Sequence, residues 1–268
     1  MSLRIQNNVE AFNAHRNLVG VSEAVSQSME RLSSGYRINR AADDAAGLAI
    51  SEKMRAQIRG LGQDQRNIQD GVSLVQTAEG ALSTVHAMLQ RVRELAVQFK
   101  NGSLSASNQS AIQSEVYQLA SEIERIGSST KFNGISLLNN TNTVTFQVGA
   151  NDGEQIAAAL VSLGSQVGST YFALTTTGTT DISKIDTAID NVSSQRAALG
   201  AVQNRLQYSL DNVGIYQENL VAAESRIRDV DMAEETVTLT KNQILAQAGT
   251  AMLSQANQSG QSVLSLLR

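Results

Sequence analysis

Apolar residues recur at steps of three and four from Ile50 to Phe99, on Ile50, Met54, Ile58, Leu61, Ile68, Val72, Val75, Leu82, Val85, Leu89, Val92 and Phe99. Only Gln65, Glu79 and the small Ala96 interrupt the stripe. Such spacing puts the apolar positions on one face of an α-helix. A helix of about 50 residues is about 75 Å long at 1.5 Å per residue, which suits a rod better than a compact globule. Asn101-Gly102-Ser103 breaks the period with turn chemistry. A shorter helix follows on Ile112, Val116, Leu119, Ile123 and Ile126, spaced to fold back on the first. A third stripe uses Ile182, Ile185, Ile189, Val192, Leu199, Leu206, Leu210, Val213, Leu220 and Ile227, with Asp181 where an N-cap belongs. The three together predict a mainly α fold, an elongated helical bundle packed in coiled-coil fashion.

Between the second and third stripes, Lys131 to Thr180 changes character. Asn133-Gly134 and Asn139-Asn140 are turn signals, and Val144-Thr145-Phe146-Gln147-Val148 alternates as a strand does. Asn151-Asp152-Gly153 reads as another turn and Tyr171 to Thr177 as a further strand, which makes a small β-hairpin region with a Thr/Gly-rich tip.

The two ends carry thinner stripes. Ile5, Val9, Phe12, Leu18, Val21, Val25, Met29 and Leu32 skip a step after Phe12. Val230, Val237, Ile244 and Ala251 keep a seven-residue spacing, with Ala248 and Met252 nearby, among Gln, Asn, Ser and Thr. Helices this weakly apolar bury too little surface alone to offset the entropy of ordering. Both ends are therefore expected to be loose in the free chain and to become ordered against neighbouring copies. Assembly contacts are expected on Ile5, Val9, Phe12, Leu18, Val25 and Leu32 at one end, and on Val237, Ile244, Met252, Leu264, Leu266 and Leu267 at the other.

Composition sharpens this picture. The 268 residues contain no proline, cysteine or tryptophan. Average usage would give roughly 13 prolines in a chain this long. Excluding a residue that removes a helical donor and clashes with the preceding turn favours long unbroken helices. A net charge of -4 without Lys/Arg blocks argues against a nucleic-acid surface. No apolar run approaches the ~20 residues that span a bilayer, and Met1 to Phe12 lacks a signal-peptide core, so no cleaved leader is expected.

Candidate chemistry is sparse. His15 and His86 are the only histidines and have no acidic partner pattern, so both read as helix-surface residues. Asp43-Asp44 reads as a favourable acidic start to the long helix rather than as a metal site. Gly60-Leu61-Gly62 lies inside a helical stripe, which suits close packing or a bend and not a phosphate loop. The Asn-x-Ser/Thr triplets at Asn101 and Asn139 are expected by chance in so polar a chain. No nucleophile, base or metal cluster survives, and neither an enzyme nor a cofactor is expected.

Glu30-Arg31-Leu32-Ser33-Ser34-Gly35-Tyr36-Arg37-Ile38-Asn39, continuing through Ala41-Ala42-Asp43-Asp44-Ala45-Ala46-Gly47, is similar to the signature of the bacterial flagellin family. Leu89-Gln90-Arg91-Val92-Arg93-Glu94-Leu95-Ala96-Val97-Gln98 resembles its central helical motif. Lys131-Phe132-Asn133-Gly134 followed by Phe146-Gln147-Val148-Gly149-Ala150-Asn151 resembles its hairpin region, and Val263-Leu264-Ser265-Leu266-Leu267-Arg268 its C-terminus.

The resemblance implies a subunit that self-polymerises into the swimming filament, with terminal helices that pair on assembly. Residues 1–44 and 230–268 would be the inner-tube assembly segments, 45–130 and 181–229 the rod, and 131–180 the hairpin region and short outer tip. It further implies unfolded export through the flagellar type III apparatus, which makes the chain extracellular. Its partners would be copies of itself, an export chaperone at the C-terminal region, and the filament cap and hook-junction proteins. The chain lacks an extended insert between about Gly168 and Ser183, so no outer domains are expected. By the same resemblance Gln90, Arg91, Leu95 and Glu115 match positions that contact the animal Toll-like receptor 5; a surface mating with the next subunit is the plainer reading. The alternatives are a hook–filament junction protein or a secreted receptor-binding or adhesin protein. Leu32-Ser33-Ser34-Gly35 and Ala45-Ala46-Gly47 favour the filament subunit over the first, and the missing outer module disfavours the second.

Overall fold

A computed structural model of the chain describes residues 8–160, 162–163, 174 and 181–266, with side chains through 258. The chain divides into two units, one of residues 57–218 and one formed by 1–56 together with 219–268. Helices α2 (Ala45–Phe99) and α4 (Asp181–Arg228) contribute to both. The fold is mainly α, as the sequence predicts.

In the unit 57–218 a strict heptad step decides what α2 buries. Leu61, Asp64, Ile68, Gly71, Val75, Ala78, Leu82, Val85, Leu89, Val92, Ala96 and Phe99 are all buried, at alternating intervals of three and four. That is the seam of a coiled coil. The predicted stripe follows it closely from Leu61 on. In the other unit the burial no longer keeps this register: Ile50, two heptads before Asp64, is 50% exposed while Ser51 is buried. Helix α3 (Ala106–Ser129) starts on the Ser105 hydroxyl, which accepts from Asn108 N at 3.3 Å, and buries Ile112, Val116, Ala120, Ile123 and Gly127. Helix α4 buries Ile185, Val192, Leu199, Leu206 and Val213, again seven apart. Asp181 is its first residue rather than its cap, buried with its carboxylate 3.9 Å from Lys100 Nζ. Arg93–Asp186, Arg196–Glu79 and the Gln65–Gln217 hydrogen bond run α4 antiparallel to α2 within this unit.

Two hairpins complete the unit. Strands β1 (Lys131–Phe132) and β2 (Ile135–Ser136) are joined by Asn133 at φ 47° and Gly134 at φ 81°, the left-handed pair that a tight two-residue turn needs. Strand β3 (Thr143–Gln147) pairs antiparallel with β4 (Gln155–Ala159), Thr145 opposite Ala157. The second strand of this hairpin therefore follows the Asn151-Asp152-Gly153 turn directly. The predicted strand at Tyr171–Thr177 lies outside the described residues, apart from Leu174, which is in no strand.

The other unit contains helices α1 (Val9–Ser34) and α5 (Met232–Leu266), laid against each other. The Asn8 side chain caps α1 at Ala11 N, and Gly35 ends it in the left-handed conformation at φ 76°, its N–H donating to Arg31 O. The linkers after α1 and before α5 join as a short antiparallel bridge. Arg37 N donates to Arg228 O at 2.7 Å, Val230 N to Gly35 O at 3.0 Å, and the Arg228 guanidinium lies 4.8 Å from the Tyr36 ring centroid.

Candidate assembly surface

The seam between α1 and α5 follows the heptad step on both sides. On α1 the half-buried or buried positions include Ala11, Ala14, Leu18, Val21, Val25, Ser28 and Leu32, with Ala24, Glu30 and Arg31 beside them. On α5 they include Leu239, Asn242, Ala246, Gly249, Leu253 and Ala256. The pair is antiparallel: Asn8 Nδ2 donates to Ala256 O at 2.8 Å, Leu18 meets Gly249, and Arg31 reaches Glu235 at 3.6 Å. A Cβ on Gly249 would lie 3.2 Å from Leu18 Cδ1, so glycine there lets the two backbones approach.

The predicted assembly residues divide between this seam and the faces opposite it. Leu18, Val25 and Leu32 lie in the seam. Val9 and Phe12 do not: Phe12 is 71% exposed, with Val19 on the same side. On α5 the predicted Val237, Ile244 and Met252 also point away from α1, at 69%, 60% and 65% exposure. Val237 and Ile244, with Thr240, Lys241 and Leu245, line an open groove of about 470 Å³. Thus α5 carries two stripes on opposite sides, and periodicity alone found the outward one. The inward stripe of small and polar residues escaped it, although its heptad spacing could have been found by counting alanine and glycine as seam residues. Leu264 and Leu266 lie in α5 beyond the described side chains, and Ile5 and Leu267 outside the described residues.

The contrast in burial follows from these stripes. Among the described residues, Ile38 is the one large apolar side chain of the terminal unit that is fully buried. The exposed ones there include Val9, Phe12, Val19, Met29, Met232, Val237, Ile244, Leu245 and Met252. Fully burying such a side chain stabilises by about 1.5–3 kcal/mol. This surface gains most from being covered.

The cluster on α2 and α3 is polar. Arg91 donates to Glu115 at 2.9 Å and to Glu94 at 3.2 Å, and Gln90 Nε2 lies 3.0 Å from His86 Nε2. The hydrogen bonds to Glu115 first and to Glu94 second hold the Arg91 guanidinium above its ordinary pKa. Gln90, Arg91 and Glu115 are exposed, whereas Leu95 is 2% exposed and faces the core. Asp43 and Asp44, read from sequence as dipole partners, make local clamps. Asp44 Oδ1 accepts from Gly47 N at 2.8 Å, and Asp43 accepts from Asn39 and Arg40 N–H. A Cβ on Gly60 would lie 3.2 Å from the Ala150 Cβ, which is close packing, whereas one on Gly62 would meet the Gln217 side chain at an ordinary 3.5 Å. Among the described residues, no group of three or more His, Asp or Glu gathers to hold a metal, and no helix is long and apolar enough to cross a membrane.

Comparison with known proteins assigns residues 5–143 to the bacterial flagellin N-terminal helical region and 182–267 to the bacterial flagellin C-terminal helical region. A flagellin of Halalkalibacterium halodurans is 53% identical, over 98% of this chain and 99% of that protein. A flagellin of Bacillus subtilis is 48% identical, over 99% of this chain and all of its own length. The crystal structure of Bacillus cereus flagellin, 32% identical, superposes with a TM-score of 0.49 over 55% of this chain and 88% of its own.

Proposed function

The chain belongs to the bacterial flagellin family and is a structural subunit of the flagellar filament that serves motility, and we propose that it polymerises through the outward stripes of α1 and α5. Relatives matched nearly end to end are flagellins, which disfavours the hook–filament junction and adhesin readings. The observation that carries the proposal is the line Val237–Ile244–Met252, left open on the side of α5 away from α1. In this reading Phe12, Val9 and that line meet neighbouring copies, while Leu18, Val25 and Leu32 hold the pair together. Pairing within one chain supplies little core, so the ends stay loose until neighbours cover them.

The segments 1–44 and 230–268 then form the inner tube, with Ile5, Leu264, Leu266 and Leu267 extending its contacts. Residues 45–130 and 181–229 form the surrounding tube, and 131–180 the hairpin region and outer tip. Export in an unfolded state through the type III apparatus fits a chain without cysteine, which cannot crosslink in transit, and without proline, which spares refolding slow isomerisation. The C-terminal region would be held by an export chaperone before the chain meets the cap and junction proteins. Gln90, Arg91 and Glu115 form an exposed polar set that a neighbouring subunit or Toll-like receptor 5 would engage; Leu95 contributes by packing beneath it.

The test compares the full chain with chains lacking residues 1–35 or 235–268, by sedimentation and electron microscopy. Filaments from the full chain and folded monomers from both deletions are expected. Equal polymerisation without either end would overturn the proposal.

A further inference from the structure

Asp64 occupies a core position of the α2 seam, three residues after Leu61 and four before Ile68, and is 4% exposed. Its Oδ2 is closed to solvent and has no hydrogen-bond partner. Closing one carboxylate oxygen off without a partner disfavours the ionised form.

The turn of the β3–β4 hairpin lies over this stretch. A Cβ on Gly60 would come within 3.2 Å of the Ala150 Cβ, and one on Gly71 within 3.1 Å of the Phe146 ring. The turn is built around a second carboxylate. Glu154 accepts from Asn151 N at 3.3 Å and from Asn151 Nδ2 at 3.2 Å, and it packs against Gly149 so closely that no Cβ fits there.

Charged residues near Asp64 in sequence or on the neighbouring elements are Arg59, Arg66 and Asp70 on α2, Asp152 and Glu154 on the turn, and Asp211 and Glu218 on α4. Arg66 is bonded to Gln63. Burial first, and the like charge of Glu154 second, hold the Asp64 carboxyl above its ordinary pKa.

We propose that docking of the β3–β4 hairpin on α2 takes up a proton at Asp64, so that this seam tightens in acid and loosens as the pH rises. The sign follows from linkage. A carboxyl whose pKa is raised on docking contributes most below its free value of 3.8, and that contribution is lost as the pH rises through the raised value. The device concerns the unit 57–218 and does not rest on the assembly reading.

Hydrogen exchange in the full chain tests it, followed from pH 4 to 7 and corrected for intrinsic rates. Protection of the amides of residues 143–159 is expected to fall about threefold or more across this range, while those of residues 185–213 stay level. Asp64→Asn should keep protection level at its acid value, and Glu154→Gln should reduce the slope. A flat profile in the parent chain, or the parent's slope retained in Asp64→Asn, would overturn the proposal. If Asp64→Asn does not fold, an unreduced slope in Glu154→Gln overturns it and a reduced slope supports it.

Discussion

The unit 57–218 and the unit made from the two chain ends use the same heptad step and fill it differently. Along α2 the seam is Leu, Ile, Val, Ala and Phe except at Asp64 and Gly71, closed by α3, α4 and two hairpins, and Leu82, Val85, Leu89 and Val92 have no exposed surface. Between α1 and α5 the seam is Ala11, Ala14, Ser28, Asn242, Ala246, Gly249 and Ala256 among a few Leu and Val. Small and polar seam residues let two helices approach but bury little apolar area, so the pair gains little from its own contact. Its larger side chains, Phe12, Val237, Ile244 and Met252, point the other way. One period thus makes a self-sufficient core in one place and a surface waiting for cover in another, according to which side of the helix holds the bulk.

The largest effect should come from spoiling that outward surface. The double substitution Val237→Asp and Ile244→Asp places two charges where polymerisation would bury them, and stranding a charge costs several kcal/mol. Filament yield by sedimentation is expected to fall below detection while the thermal transition of the monomer stays where it was. Filaments of normal yield from this variant would place the subunit contact elsewhere and erase the contrast between the two units.

Truncations inside each unit sharpen the contrast at a smaller scale. Leu82→Ala removes a side chain with no exposed surface and should destabilise the unit 57–218 by about 3 kcal/mol in urea unfolding. Phe12→Ala removes a larger side chain, but one already in water, so the monomer should change by less than about 0.5 kcal/mol. Similar losses for the two would mean that Phe12 is covered in the free chain.

These differences also explain what was legible beforehand. The heptad steps on α2 and α4 were readable because large apolar residues mark most of them, and Asn133-Gly134 announced its turn by chemistry. Asp64 was missed because a lone aspartate between Leu61 and Ile68 looks like the polar side of the helix; the break in the stripe was assigned to its neighbour Gln65, which is bonded to Gln217. Strand β4 was missed because Ala157, Ala158 and Ala159 carry no strand preference, and pairing with Thr143–Gln147 overrides that. The inward stripe of α5 was missed for a related reason: Ala246 and Gly249 serve the seam by being small, and a search for bulk passes over them.

The smallest effect distinguishes the units by the sign of their response to acid. Asp43 is an exposed carboxylate in the loop after α1, accepting from Asn39 N at 3.0 Å and from Arg40 N at 2.9 Å. Those backbone hydrogen bonds favour the ionised form and hold its pKa below the ordinary 3.8. A lowered pKa makes the contribution complete above 3.8 and lost as the pH falls through the folded value, opposite to Asp64. Amide exchange at Asn39 and Arg40, corrected for intrinsic rates, should therefore speed up as the pH drops from 5 to 2.5. In Asp43→Asn it should be faster than in the parent at pH 5 and nearly independent of pH below that. Asn39 and Arg40 amides that stay equally protected down to pH 2.5 in the parent chain would show that the loop is held by its other bonds, among them Arg40 to Glu30 at 3.0 Å.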